Sequence, residues 1–288
     1  MHHTSGLPAD YDSPEFSDSP EASRQYEPQV FAEKFCQPNL SAEPGTKWAY
    51  SNGGYVLLGL ILERVSGESF GELLNEQLLL PLGMTNTGID CNDLTQRGGA
   101  AGYTRHAGPR YTPGPYLDRA HIFCAGAMYS TVEDLFRWNQ ALSSSNFFSK
   151  EICEQVFKPG LKDWSYGWFV TRIPQGSPGA GSALAEMRGD MPGNYFAWIL
   201  RYPEQERVII VLRNGYGSTE HFEEKLQAVL FDEQPSLPSR SPKDIAAHTW
   251  QVTCASLMAR PVLNSLSLLV IVFGLWIIAH RRRPSPQL

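Results

Sequence analysis

Two short patterns in this sequence set chemically useful groups at a defined spacing. Tyr50-Ser51-Asn52 pairs a phenol with a carboxamide two residues away. A free tyrosine has a pKa of about 10, so roughly one phenol in a thousand is ionised at pH 7. It can serve as a base only where nearby cations lower that value; as an isolated tripeptide the pattern points to no single reaction. Gly67-Glu68-Ser69-Phe70-Gly71 has the spelling of a hydrolase nucleophile elbow. That elbow requires a strand before the serine, whereas here a helical period precedes it. Ser69-x-x-Glu72 also reads as a capping box, so Ser69 is expected to cap a helix. Metal chemistry has no foothold: the seven histidines are dispersed and no H-E-x-x-H spacing occurs. The five cysteines, at 36, 91, 124, 153 and 254, form no C-x-x-C pair, which excludes zinc ribbons and thioredoxin-type sites. No cofactor is expected.

The elements that must hold these groups are readable from periodicity. Residues 1 to about 48 are polar, proline-bearing and aperiodic. Residues 55–65, YVLLGLILERV, repeat at the helical period between Gly53-Gly54 and Gly67. A second helix is expected from Ser69 to Pro81, and residues 85–125 read as a long Gly-, Pro- and Thr-rich loop region. Ser130-x-x-Glu133 predicts a capped helix running through Leu142. The pattern then changes to period two, with strands around Tyr166, Ala185, Ala197 and Val211, the last two joined by a turn at Pro203-Glu204-Gln205-Glu206. A closing helix is expected over 219–231. Helices followed by an antiparallel sheet and a terminal helix imply an α+β fold.

Of the 288 residues, 42% are hydrophobic and 19% charged, a globular composition. Acidic residues outnumber basic ones 30 to 24, which argues against nucleic acid as a partner. Residues 232–260 are a Pro/Ser-rich linker. Residues 262–279, VLNSLSLLVIVFGLWIIA, carry no charge and as a helix would span roughly 27 Å, close to a bilayer's hydrocarbon thickness. Arg281, Arg282 and Arg283 follow, and such arginines favour the cytoplasmic side. The expectation is one transmembrane helix over 261–280, a basic cytoplasmic tail over 281–288, and an extracytoplasmic domain over 1–231. The opening residues have neither a basic nor an apolar leader region, so an external domain calls for a segment upstream of Met1.

Several blocks recur together in order: His3-Thr4-Ser5-Gly6-Leu7-Pro8, then PGT before Tyr50-Ser51-Asn52, GYVLLGLILERVSG, PLGMTNT, residues 126–135 (GAMYSTVEDL), YGWFV, and a strand pair ending Arg213-Asn214-Gly215. This set resembles the serine β-lactamase-related superfamily of class C β-lactamases, D-alanyl-D-alanine peptidases and related esterases. The resemblance covers residues 3 to about 231. It implies a β-lactamase/transpeptidase-like fold and acyl transfer at a serine, on an amide or ester substrate such as a cell-wall-like peptide. Of the superfamily's three motifs, the second is present as Tyr50 and Asn52. The first, S-x-x-K, is absent, since no lysine here has Ser, Thr or Cys three residues before it. The third, K-T-G or H-x-G, aligns with Met187-Arg188-Gly189, which puts methionine at the cation position. Arg188 is one step away and so on the opposite face of a strand. The resemblance makes the backbone N–H of Asp190 the oxyanion donor. These departures imply an N-terminally incomplete hydrolase, inactive as written, or alternatively a non-catalytic binding protein that keeps the fold and cleft.

Overall fold

The computed structural model describes residues 1–7, 19–36, 39–90, 93–106, 110–114, 122–144, 146–191, 194–215 and 222–231. The elements in chain order are α1 (Pro28–Phe35), α2 (Asn52–Ser66), α3 (Phe70–Leu74), β1 (Gly88–Ile89), β2 (Tyr103–Arg105), β3 (Tyr111–Pro113), α4 (Phe123–Gly126), β4 (Met128–Tyr129), α5 (Val132–Ser143), α6 (Lys150–Val156), β5 (Trp164–Ser165), β6 (Trp168–Arg172), β7 (Ala183–Met191), β8 (Tyr195–Tyr202), β9 (Arg207–Arg213) and α7 (Phe222–Leu230). They fall into two compact units. Of the described residues, one unit holds those within 1–104, 113–176 and 180–215; the other holds those within 105–112, 177–179 and 222–231.

The first unit holds a five-stranded antiparallel sheet in the order β5-β6-β7-β8-β9. Alternation selects its faces. Ala185 and Trp168 are buried with Leu142 of α5, and Met187, Val170 and Ile199 pack on them together with Trp138, Phe148 and Phe157. The opposite face carries the buried Trp198, whose Nε1 donates to Glu186 Oε1 at 2.9 Å. The turn at Pro203–Gln205 is a single 3-10 turn closed by Glu206 in the left-handed region. The four expected strands are therefore present, and a fifth, β5, pairs with β6 as an edge.

The helices show where tertiary contacts overrode local patterns. α2 begins at Asn52, three residues before the predicted start, because Ser51 caps it: its side chain accepts from Gly54 N–H. Its buried face is Gly53, Val56 and Gly59. A side chain at 59 would meet Cys124 Sγ at 2.5 Å and Phe123 Cε1 at 2.8 Å, so the close approach of α4 requires glycine there. The Ser69–Glu72 capping box forms as read, and the five-residue α3 continues as a π-helical turn through Asn75–Leu79. The expected cap at Ser130 is corrected: Thr131 caps α5, accepting from Asp134 N–H, while Ser130 bonds Thr87 Oγ1 at 2.8 Å. Asp134 is fully buried and accepts from Asn86 N–H and Thr87 Oγ1 while pairing with Arg137, which ties the 84–87 loop to α5. α1 lies in the stretch read as aperiodic. Pro28 opens it, and Phe31 is buried within a ring cluster with Tyr26 and Phe35.

In the second unit, α7 takes the place of the helix expected over 219–231, and the Phe231 ring lies where a side chain on Gly179 would have to go. The linker (232–260), the apolar segment (261–280) and the basic tail (281–288) lie outside the described residues. Among the described residues, no helix is long and apolar enough to cross a membrane.

Candidate active site

Tyr50 ends the extended stretch that leads into α2, and Asn52 is the first residue of that helix. The fold brings them together: Tyr50 Oη donates to Asn52 Oδ1 at 3.0 Å. Tyr50 is 40% exposed, so its phenol is open to solvent. Between them, Ser51 is buried, and its N–H donates to His3 Nδ1 at 3.0 Å. The Tyr50 ring stacks on His3, with centroids 4.4 Å apart at 30°, and meets the edge of Trp164 at 6.0 Å and 88°. Trp164 lies on β5, so the pair sits beside that edge of the sheet.

His3 and Trp164 are neighbours of Tyr50 that the sequence marked weakly or not at all. His3 belongs to one of the recurring blocks, yet nothing local shows that it meets a residue 48 positions away. Accepting a hydrogen bond at Nδ1 commits its imidazole to the neutral form protonated at Nε2. Burial, reinforced by the Met1 ammonium, pushes its pKa down to about 4. Tyr55, its ring 5.1 Å from that of His3, donates to the Met1 carbonyl at 3.0 Å, and burial pushes its phenol up to about 12, which removes it as a proton acceptor.

Met187, Arg188, Gly189 and Asp190 lie on β7, two strands in from β5, paired with Ile199, Trp198, Ala197 and Phe196 of β8. Met187 packs on the apolar cluster of Trp168, Ala185 and Leu142. Arg188 points to the opposite face, as expected from strand alternation, where its guanidinium lies over Phe196 at 5.5 Å. The Asp190 carboxylate sits with it, 3.7 Å from Arg188 Nε, and so turns away from the Met187 face. Among the described residues other than its chain neighbours, no heavy atom lies within 4 Å of the position a side chain would occupy on Gly189. β6 pairs with β7 only from Ala183 to Glu186. Among the described residues, the β7 edge from Met187 to Met191 therefore has no strand neighbour on that side.

No described cysteine stands in for a nucleophile at this place. The Cys124 thiol donates to the Tyr55 carbonyl, and burial pushes its pKa up to about 11, which leaves almost no thiolate at neutral pH. Among the described residues, no group of three or more His, Cys, Asp or Glu is placed to hold a metal ion.

The chain is similar to known proteins. The chain is 30% identical over 269 residues to Penicillin-binding protein 4* of Bacillus subtilis (strain 168), covering 83% of this chain and 56% of that protein. It is 27% identical over 185 residues to the D-alanyl-D-alanine-carboxypeptidase/endopeptidase AmpH of Escherichia coli (strain K12), covering 62% of this chain and 41% of that protein. The chain thus spans about half the length of these curated relatives. Among solved structures, the octameric penicillin-binding protein homologue from Pyrococcus abyssi superposes with a TM-score of 0.64 at 26% identity, covering 82% of this chain and 55% of that one. The D-amino acid amidase from Ochrobactrum anthropi SV3 shares the fold, with a TM-score of 0.62 at 21% identity over 81% of this chain and 71% of that one. Residues 1–233 match the Beta-lactamase family, and the chain belongs to it.

Proposed function

We propose that this chain carries the substrate-facing part of an acyl-serine hydrolase site for an amide or ester, such as a cell-wall-like peptide, and does not turn substrate over as it stands. The observation that carries this reading is the Tyr50–Asn52 hydrogen bond at the start of α2, made by an exposed phenol. The open β7 edge supports the peptide class, because an extended chain can add there as a strand and draw affinity from main-chain hydrogen bonds. Above Gly189 there is room for a carbonyl, and the backbone N–H of Asp190 is the candidate oxyanion donor. The Asp190 carboxylate, turned toward Arg188, adds little opposing charge to that face. Asn52 orients the acyl group, and Tyr50 passes its protons.

The absence of turnover follows from what these residues lack. No S-x-x-K spacing occurs in the 288 residues, and Met187 occupies the position of the third-motif cation. The names of the relatives, a penicillin-binding protein and a D-alanyl-D-alanine carboxypeptidase, agree with the substrate class. Residues 261–280 would anchor the chain in a membrane, with the domain outside the cytoplasm and the basic tail within it.

A second reading, a binding protein without catalysis that keeps the cleft, is favoured by Met187, which is packed into the apolar cluster rather than left as a gap where a cation was. Two experiments separate the readings. A fluorescent β-lactam or fluorophosphonate should fail to label the 288-residue chain and should label a longer form that supplies S-x-x-K. Labelling of the 288-residue chain would overturn the inactive reading; an unlabelled longer form that still binds a D-alanyl-D-alanine peptide by calorimetry would establish the second.

A further inference from the structure

Tyr50 is exposed, yet its ring has a defined orientation, and the cause lies 47 residues earlier in the chain. Residues 3–6 are zipped by backbone hydrogen bonds onto the segment that leads into α2. The His3 carbonyl accepts from Ala49 N–H at 2.8 Å, the Thr4 carbonyl from Gly45 N–H at 2.7 Å, and the Gly6 carbonyl from Ser41 N–H at 2.7 Å. Gly6 has φ +79°, and a side chain there would run into the Ala42 carbonyl oxygen, so this register admits only glycine. His3 itself has φ +52°, a strained conformation for a non-glycine residue. Such strain persists only where the surroundings over-determine it, and strained residues cluster at functional sites.

We propose that His3 is a positioning residue for Tyr50, holding the phenol ring by stacking and fixing the peptide N–H that joins it to the α2 cap. The inference rests on the reading of Tyr50 and Asn52 as the working pair. His3 is 7% exposed and makes both contacts from one imidazole. Its ring face lies on Tyr50, and its Nδ1 takes the Ser51 N–H. Trp164 closes on the His3 edge at 4.9 Å, with Tyr55 at 5.1 Å and Trp48 at 6.2 Å, so the imidazole cannot swing away. A phenylalanine would supply the face without the acceptor, and an asparagine the acceptor without the face. The residue present does both, which suits a device that sets the direction of the Tyr50 Oη–Asn52 Oδ1 vector. A contact that merely filled space would need neither.

The test uses the full chain, in detergent, with no substrate present. Tetranitromethane nitration reports the freedom of the Tyr50 ring, and hydrogen exchange of the Ser51 amide reports the Nδ1 contact. In His3→Asn, Tyr50 should nitrate several-fold faster while Ser51 stays protected; in His3→Phe, nitration should remain near wild type while Ser51 protection falls. A purely structural histidine would move both readouts together in both variants, and that result would overturn the proposal. Tyr50→Leu, at a solvent-open position, covers the case in which the His3 variants do not fold. Loss of the stacked ring should move the His3 Cε1–H resonance downfield, and an unmoved resonance would likewise overturn the proposal. Failure of the functional reading would appear elsewhere, as a Tyr50→Leu chain that binds D-alanyl-D-alanine peptide unchanged.

Discussion

Acidification should destabilise this protein well before its carboxylates titrate, and His3 sets the size of the effect. An unfolded histidine titrates near 6.5, whereas burial, with the Met1 ammonium, lowers the folded value to about 4. Because the folded pKa lies below the unfolded one, the unfolded chain binds the extra proton as pH falls from 6.5 to 4. The stabilisation is thus present above pH 6.5 and lost on the way down to 4. The full gap corresponds to about 3 kcal/mol, of which about 1.8 kcal/mol disappears between pH 7 and pH 5. Glu21, Glu72 and Glu151 have their pKa values lowered by hydrogen bonds, to Lys34 and Tyr26, to Ser69, and to the backbone of Glu151 itself with Ser149. Their stabilisation is present above their ordinary value of 4.5 and is lost only below it, whereas burial lowers the Met1 ammonium from 8.0, so the histidine is isolated by the difference between the chain and His3→Asn from pH 7 to 5. Urea unfolding of the full chain and of His3→Asn at pH 7, 6 and 5 measures this. The two stability curves should converge by about 1.8 kcal/mol over the range. Parallel curves would refute the reasoning, because they would mean that His3 takes up its proton in the folded state as readily as in the unfolded one.

Four substitutions at three positions probe the frame around the site, each by urea or thermal unfolding. Arg201 is 3% exposed, bonded to Asn139 Oδ1 and Ser143 Oγ and stacked over Phe157 at 4.6 Å, with its pKa lowered to about 10 by burial. Arg201→Lys, which loses the planar fork and the stacking, should cost about 2 kcal/mol, and Arg201→Met less, because it removes the buried charge as well. Asp134→Ala should cost about 3 kcal/mol, since it leaves the Asn86 N–H and the Thr87 hydroxyl without their acceptor. Gly59→Ala should cost about 1–3 kcal/mol despite alanine's better helix propensity, because its methyl would overlap Cys124 Sγ and Phe123.

Much of this fold was legible because it rests on local chemistry. Period-two alternation located β6 to β9, a capping box located the start of α3, and alternation along β7 set Arg188 and Met187 on opposite faces before any contact was known. The β-lactamase-related resemblance, carried by blocks in order, agrees with the family found by comparison. α1 was not legible: it is eight residues long, and its place is decided by burial of Phe31 rather than by a sustained helical repeat. Thr131 and Ser130 are both acceptable caps by type, and the choice fell to Thr131 because Ser130 turns to Thr87.

The site divides the same way. Tyr50 and Asn52 were marked by the β-lactamase-related resemblance, and the fold then brings the phenol within 3.0 Å of the Asn52 amide oxygen. That the phenol rests on His3, that Asp190 turns to Arg188, and that β6 stops short and leaves the β7 edge open depended on pairings between distant segments. Residue type and short spacing constrain only the geometry that local backbone dihedrals carry. Contacts across 48 residues are selected by the packing of the whole, where burial and backbone hydrogen bonding are satisfied together.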